Sequence, residues 1–160
     1  MGDILFKTQD YVFSYRIAGI CLQDGKVLLQ RPVGDVAHAF PGGHAAFGET
    51  NEQTLKREFR EELGVDISVG QLKWVGEIFF PWDNRDWHQI CLYYMVEICT
   101  EDFPRDGTIC GKDLLDEQDF DMEFRWVPLQ DVKNLVIYPE QAPQLLEKLD
   151  EGVQHFIFRE

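Results

Sequence analysis

The sequence predicts an α+β domain, helices packed on a β-sheet, from three observations. Strand-like runs occupy both ends of the chain, one strongly amphipathic helix lies between them, and tight turn signals take the place of linkers. Tyr11 to Leu22, YVFSYRIAGICL, is rich in β-branched and aromatic residues, and DGKVLLQR follows it behind the Asp24-Gly25 pair. The two runs therefore form a hairpin. Pro41, Gly42 and Gly43 open a loop, after which TNEQTLKREFREEL reads as a helix with Thr50 or Asn51 as N-cap and Gly64 as its stop. ISVGQLKWVGEIFF, HQICLYYMVEI and MEFRWVPL read as further strands. The segment between the last two, Cys99 to Asp121, is long and acidic, and is expected to be a functional loop. PLQDVKNL and APQLLEKLDEG read as helices, and VQHFIFRE as a final strand. With no repeat, low-complexity tract or Pro/Ser-rich linker, residues 1–160 are expected to form one domain.

Composition narrows the function. The 160 residues are 44% hydrophobic, enough for one proper core, and carry a net charge of -14. That charge disfavours a nucleic-acid partner, because phosphate-backbone affinity comes mainly from Lys and Arg. A small anionic substrate fits if a cation screens it. Cys21, Cys91, Cys99 and Cys110 show no close pairing of the metal-ligand or redox type, so they are expected to be reduced thiols. MGDILFKTQD lacks the basic flank and apolar stretch of a leader, and no apolar run reaches membrane-spanning length. A cytoplasmic protein without a membrane partner is the expectation.

The helix carries the chemistry. At about 100° per residue, with Glu58 at zero, Glu62 falls at about 40° and Glu61 at about 300°. Leu55, Phe59 and Leu63 fall at about 60°, 100° and 140°, an apolar stripe for docking on the sheet. Carboxylates converging at i, i+3 and i+4 suit a hard divalent cation, Mg²⁺ or Mn²⁺, which keeps positions free for water and phosphate oxygens. The competing interpretation is a solvated acidic face, the usual fate of an isolated EFREE. Glu49, six residues after Gly43, is close enough to pair with Arg57 or to supply another oxygen.

The full spacing decides between these. Gly43, Glu49, Arg57, Glu58, Phe59, Glu61, Glu62, Gly64 and Val65 match every fixed position of the Nudix box: Gly, five residues, Glu, seven residues, Arg-Glu, an apolar residue, any, Glu-Glu, any, Gly and an apolar residue. Looser agreement extends through LLQR and FPGG before the helix and EFRWVPL after it. The chain thus resembles the Nudix hydrolases. The resemblance implies an α/β/α sandwich around a mixed β-sheet and hydrolysis of the diphosphate in a nucleoside diphosphate linked to some group X. It implies Glu58 and Glu62 as metal ligands, Glu61 as a third ligand or a base, the Gly43 carbonyl as an inner-shell oxygen, and Glu49 with Arg57 as the supporting pair. Glu123, just before FRWV, matches a late glutamate that acts as base in relatives cleaving nucleoside triphosphates; otherwise it is an exposed strand-edge carboxylate near Asp116, Glu117, Asp119 and Asp121. Arg31 matches an arginine that contacts substrate phosphate, or else pairs with a surface carboxylate. His38 and His44 are expected to be structural or solvent-facing.

The resemblance favours cleavage of a nucleoside triphosphate, normal or damaged, to monophosphate and pyrophosphate. ADP-ribose or a dinucleoside polyphosphate is the alternative, Pro81 standing where some ADP-ribose enzymes of the family carry a proline. A nucleotide-sensing module without catalysis could have lost box glutamates, and none is missing. Trp82 and Trp87 are candidates for stacking on a base, although aromatics near a strand end also serve as packing. Relatives are often dimers, so a homodimer is compatible with the resemblance.

Overall fold

The computed structural model describes residues 2–115 and 118–160, and the side chains of all of these but 111–120. Strand β1 (Leu5–Lys7) runs antiparallel to β2 (Tyr11–Gln23). Asp24 and Gly25 take positive φ of 53° and 76° and turn the chain into β3 (Lys26–Pro32), with Gln23 facing Lys26. After two pairs, β2 and β3 diverge. The short strands β4 (Ala37–His38) and β5 (Gly42–His44) follow, and β5 pairs with β2 so that Gly43 faces Ile17.

Helix α1 (Asn51–Leu63) has the boundaries its caps specify. Thr50 Oγ1 accepts from Gln53 N at 3.2 Å, the Gln53 side chain accepts from Thr50 N at 2.9 Å, and Gly64 ends the helix at φ 67°. Then come β6 (Ile67–Trp82), β7 (Arg85–Ile98), β8 (Thr108–Leu115), β9 (Gln118–Pro128), a 3₁₀ turn (Leu129–Asn134), β10 (Val136–Ile137), α2 (Ala142–Leu146) and β11 (Gln154–Arg159). The main sheet runs β11-β6-β7-β2-β3-β9-β8. It is mixed, since β2 lies parallel to β7 and β11 parallel to β6, while the remaining neighbours are antiparallel.

Alternation along the central strands sorts the core into two layers. Ile17 and Cys21 of β2 pack with Leu55 and Phe59 of α1, whereas Ala18 and Ile20 pack on the other face with Val132, Ala142 and Leu145. The result is the predicted α/β/α layering, with a single long helix on one side and short helical pieces on the other.

Three expectations are corrected. The segment from Cys99 to Asp121 is not one long loop: residues 108–115 form β8, which pairs with β9 at the edge of the sheet. An edge strand tolerates charge and turn residues that a central strand does not, and this made the run look like a loop. Asp116 and Glu117 lie outside the described residues. The helical signal of APQLLEKLDEG yields only Ala142–Leu146, since no side chain caps the start and the residues beyond Leu146 are in turns; PLQDVKNL is a 3₁₀ turn. Trp82 does end a strand, as expected: it closes β6, and Asp83 and Asn84, both at positive φ (52° and 60°) as residues that tolerate the left-handed region allow, turn the chain into β7. No helix among the described residues is long and apolar enough to cross a membrane.

Candidate active site

The site is built where β5 meets α1. Asn51 anchors the start of the helix to the sheet, its Oδ1 accepting from Tyr15 OH and its Nδ2 donating to Tyr94 OH, both at 2.8 Å. Docking of Leu55 and Phe59 then turns the polar stripe of α1 toward β5. A Cβ on Gly43 would lie 2.3 to 2.6 Å from the Glu58 carboxylate atoms, so only glycine lets that carboxylate rest on the strand.

Arg57 organises the cluster. Its Nε and Nη2 grip Glu49 at 2.8 and 3.0 Å in a bidentate pair, its Nη1 donates to Glu58 at 2.9 Å and reaches Glu61 at 3.4 Å, and Nη2 also donates to the His44 carbonyl at 3.2 Å. Thr54 Oγ1 adds a bond to Glu49 at 3.1 Å. These bonds hold the Glu49 carboxyl below the usual carboxylate range, and the same contacts raise Arg57 above its ordinary value. Glu49 and Glu58 are largely withdrawn from solvent, whereas Glu61 is 59% exposed. Glu62 is half-buried, with one carboxylate oxygen out of solvent.

The structure therefore brings Gly43, Glu49, Arg57, Glu58 and Glu61 together. No group of three or more His, Cys, Asp or Glu side chains among the described residues stands at metal-holding distances; Arg57 gathers the carboxylates instead. Acid oxygens on one stripe beside a backbone with no side chain in the way still form the donor set a hard divalent cation takes.

Beside this cluster a cleft of about 570 Å³ opens where β2 and β3 diverge, and His44 lines it. Trp82 and Trp87 both stand in its wall, edge to face at 5.6 Å, and Pro81 is with them. Arg16, Gln30 and Tyr138 also line it and were not singled out from the sequence. Arg16, a charge in the middle of YVFSYRIAGICL, and Gln30, an amide ending the apolar run of KVLLQR, were the available signals. A second hollow of about 580 Å³, around Phe13, Phe79, His88 and Arg159, touches none of the box residues.

Arg31 and Glu123 are brought to each other. They are cross-strand partners in the β3–β9 ladder and pair at 2.9 Å. Met122 and Phe124 point toward the α1 layer, so Glu123 alternates to the opposite face. His38 and His44 are buried rather than solvent-facing. His38 bonds Val136 O and Arg125 at 3.2 and 2.7 Å, tying β4 to β10 and β9, and burial depresses its basicity. All four cysteines are free thiols, and burial pushes Cys21 up to about 12.

The family model described as NUDIX domain matches residues 14–149. The chain belongs to the Nudix family. Among its Nudix relatives, MutT4 of Mycobacterium tuberculosis (strain CDC 1551 / Oshkosh) is 31% identical over 124 residues, covering 72% of this chain and 45% of that protein. The CTP pyrophosphohydrolase of Escherichia coli (strain K12) is 46% identical over 59 residues, 34% of this chain and 44% of that protein. The chain thus spans less than half the length of either curated relative. The crystal structure of a NUDIX hydrolase from Nitrosomonas europaea superposes with a TM-score of 0.63 at 16% identity, over 96% of this chain and 82% of that one, which shows a shared fold.

Proposed function

We propose that the protein hydrolyses the diphosphate linkage of a small nucleotide, a nucleoside triphosphate going to monophosphate and pyrophosphate, with Mg²⁺ or Mn²⁺ held by Glu58 and Glu62. The observation that carries this is the Arg57 clamp: one guanidinium fixes Glu49 and Glu58 against Gly43, next to His44 in the wall of an aromatic cleft. One matching relative, the CTP pyrophosphohydrolase of Escherichia coli (strain K12), supports the reaction class.

Two phosphates repel an incoming nucleophile, so the site must neutralise them and position a water. A divalent cation, when bound, supplies that neutralisation and lowers the pKa of water. The chain's own part is orientation. Glu49 holds Arg57, Arg57 holds Glu58, and Glu58 rests on Gly43, so the ligand carboxylate is aimed before substrate arrives. In this proposal Glu61, mostly exposed and 3.4 Å from Arg57, takes a proton from the attacking water. The Gly43 carbonyl is a further oxygen donor in this proposal, and Arg31 and Glu123 act as a pair that shapes the β3–β9 wall.

The test is a panel of nucleotides with Mg²⁺ or Mn²⁺, read as phosphate and pyrophosphate release. Activity is expected to vanish in excess chelator, and Glu58→Gln and Glu62→Gln are each expected to cut turnover at least a hundredfold with the fold intact. Turnover that survives the chelator overturns the proposal. Pro81 in the cleft wall favours a second reading, an ADP-ribose-type substrate. Release of AMP without pyrophosphate would select it.

A further inference from the structure

Two polar atoms of the residues lining the cleft are buried with no hydrogen-bond partner among the described residues: Gln30 Oε1 and Trp87 Nε1. Gln30 is 5% exposed and Trp87 3%. Proteins keep few such atoms, because each loses its water on folding and gains nothing in return. The two are complementary in kind, Gln30 Oε1 accepting and Trp87 Nε1–H donating. Gln30 is also held in place, its backbone N and O both bonded to Ala39 at 2.8 Å. Around them the wall is aromatic: Phe80 stacks on Trp87 at 5.4 Å and 24°, and Trp82 meets it edge-on.

These features specify a ligand. A phosphate offers acceptors alone, so it can satisfy Trp87 and leaves Gln30 bare. A sugar offers hydroxyls but no flat face for the rings. A nucleobase has both, a planar π-surface and an edge on which an N–H donor adjoins an acceptor. Resting on the nucleotide reading above, we infer that Gln30 and Trp87 are specificity-determining residues that read the edge of a nucleobase held in this cleft. The phosphates then extend past His44, the cleft residue whose carbonyl accepts from Arg57, toward the carboxylate cluster.

The inference is tested apart from catalysis, on the whole chain without divalent cation. Binding of AMP, GMP, CMP and UMP is measured by calorimetry, with ribose 5-phosphate as the base-free probe. At least one nucleotide is expected to bind ten times more tightly than ribose 5-phosphate. Gln30→Leu and Gln30→Met, which remove the acceptor, and Trp87→Phe, which removes the donor, are each expected to weaken the tightest nucleotide about ten- to a hundredfold. Ribose 5-phosphate affinity should not change. The melting temperature of one or both Gln30 variants should hold or rise, since the acceptor has no partner to lose. Nucleotides that bind no better than ribose 5-phosphate, or variants that bind them as well as the wild type, overturn the inference. Because no turnover is read, absence of pyrophosphohydrolase activity in the metal assay defeats the reaction proposal and leaves this readout standing.

Discussion

A Cβ on Gly42 would lie 2.0 Å from the Ile17 carbonyl oxygen, whereas the nearest atoms to one on Gly43 are those of the Glu58 carboxylate. The first neighbour is backbone in the middle of β2; the second is the far end of a flexible side chain. Gly42→Ala is therefore expected to destabilise the fold by several kcal/mol, on the order of the largest single-residue effects. Gly43→Ala is expected to leave the melting temperature within a few degrees while displacing Glu58 and cutting turnover at least tenfold. Thermal melts and rates on the pair of variants check both, and equal losses of stability would refute the distinction. Arg57 is expected to behave differently again. Arg57→Ala strips Glu49 and Glu58 of their shared cation, at a cost of about 1–3 kcal/mol as well as activity. The pH dependence follows from Glu49. Its folded-state pKa lies below the unfolded one, so its contribution is full above the ordinary carboxylate range, about 4.3, and is lost as pH falls through the folded value. Urea midpoints of wild type and Glu49→Gln should differ most near neutral pH and converge in acid.

At the level of elements, the box helix was legible because several independent signals agree on it. Thr50, Gln53 and Gly64 set its ends, and Leu55 and Phe59 set its buried face. The β2–β3 hairpin was legible through Asp24-Gly25 for the same reason. β8 was not: Thr108 to Leu115 gains its strand geometry from β9, and its own residues carry no alternation strong enough to announce it. The Arg31–Glu123 pair was also hidden, since cross-strand register is not a local property, and two residues matched separately to substrate roles turn out to face each other. In the proposed function the base is therefore Glu61. Glu61→Gln is expected to reduce turnover more than Glu123→Gln and to flatten the acidic limb of the rate profile, whereas Glu123→Gln should chiefly loosen the β3–β9 ladder. A Glu123→Gln enzyme with unchanged stability and a lost acidic limb would reverse the assignment.

The whole molecule divides its labour between two unlike regions. The layers above and below the sheet are closed, with Trp74 and Phe40 fully buried on one side and Phe59 and Phe124 on the other. Where β2 and β3 part, the sheet opens, and the cleft residues come from segments far apart in sequence, Arg16, Gln30, Trp87 and Tyr138 among them. The box could be recognised as one continuous stretch, but the cleft exists only after folding. The parallel ladder between β2 and β7 sets when that happens during synthesis. Tyr11 through Cys21 pair with Asp86 through Val96, and Ser14 bonds Gln89, 75 positions later. A nascent chain emerging from the ribosome has thus exposed its entire glutamate motif well before the strand that must lie beside β2 has been made. Until β7 arrives, Tyr94 is missing as an anchor for Asn51, and Ile17 and Cys21 lie on a strand without its central neighbour. Such long-range pairing makes folding slow and late. A fragment of residues 1–84, motif complete, is expected to show neither a cooperative melt nor nucleotide hydrolysis, and addition of residues 85–160 as a second chain should restore both.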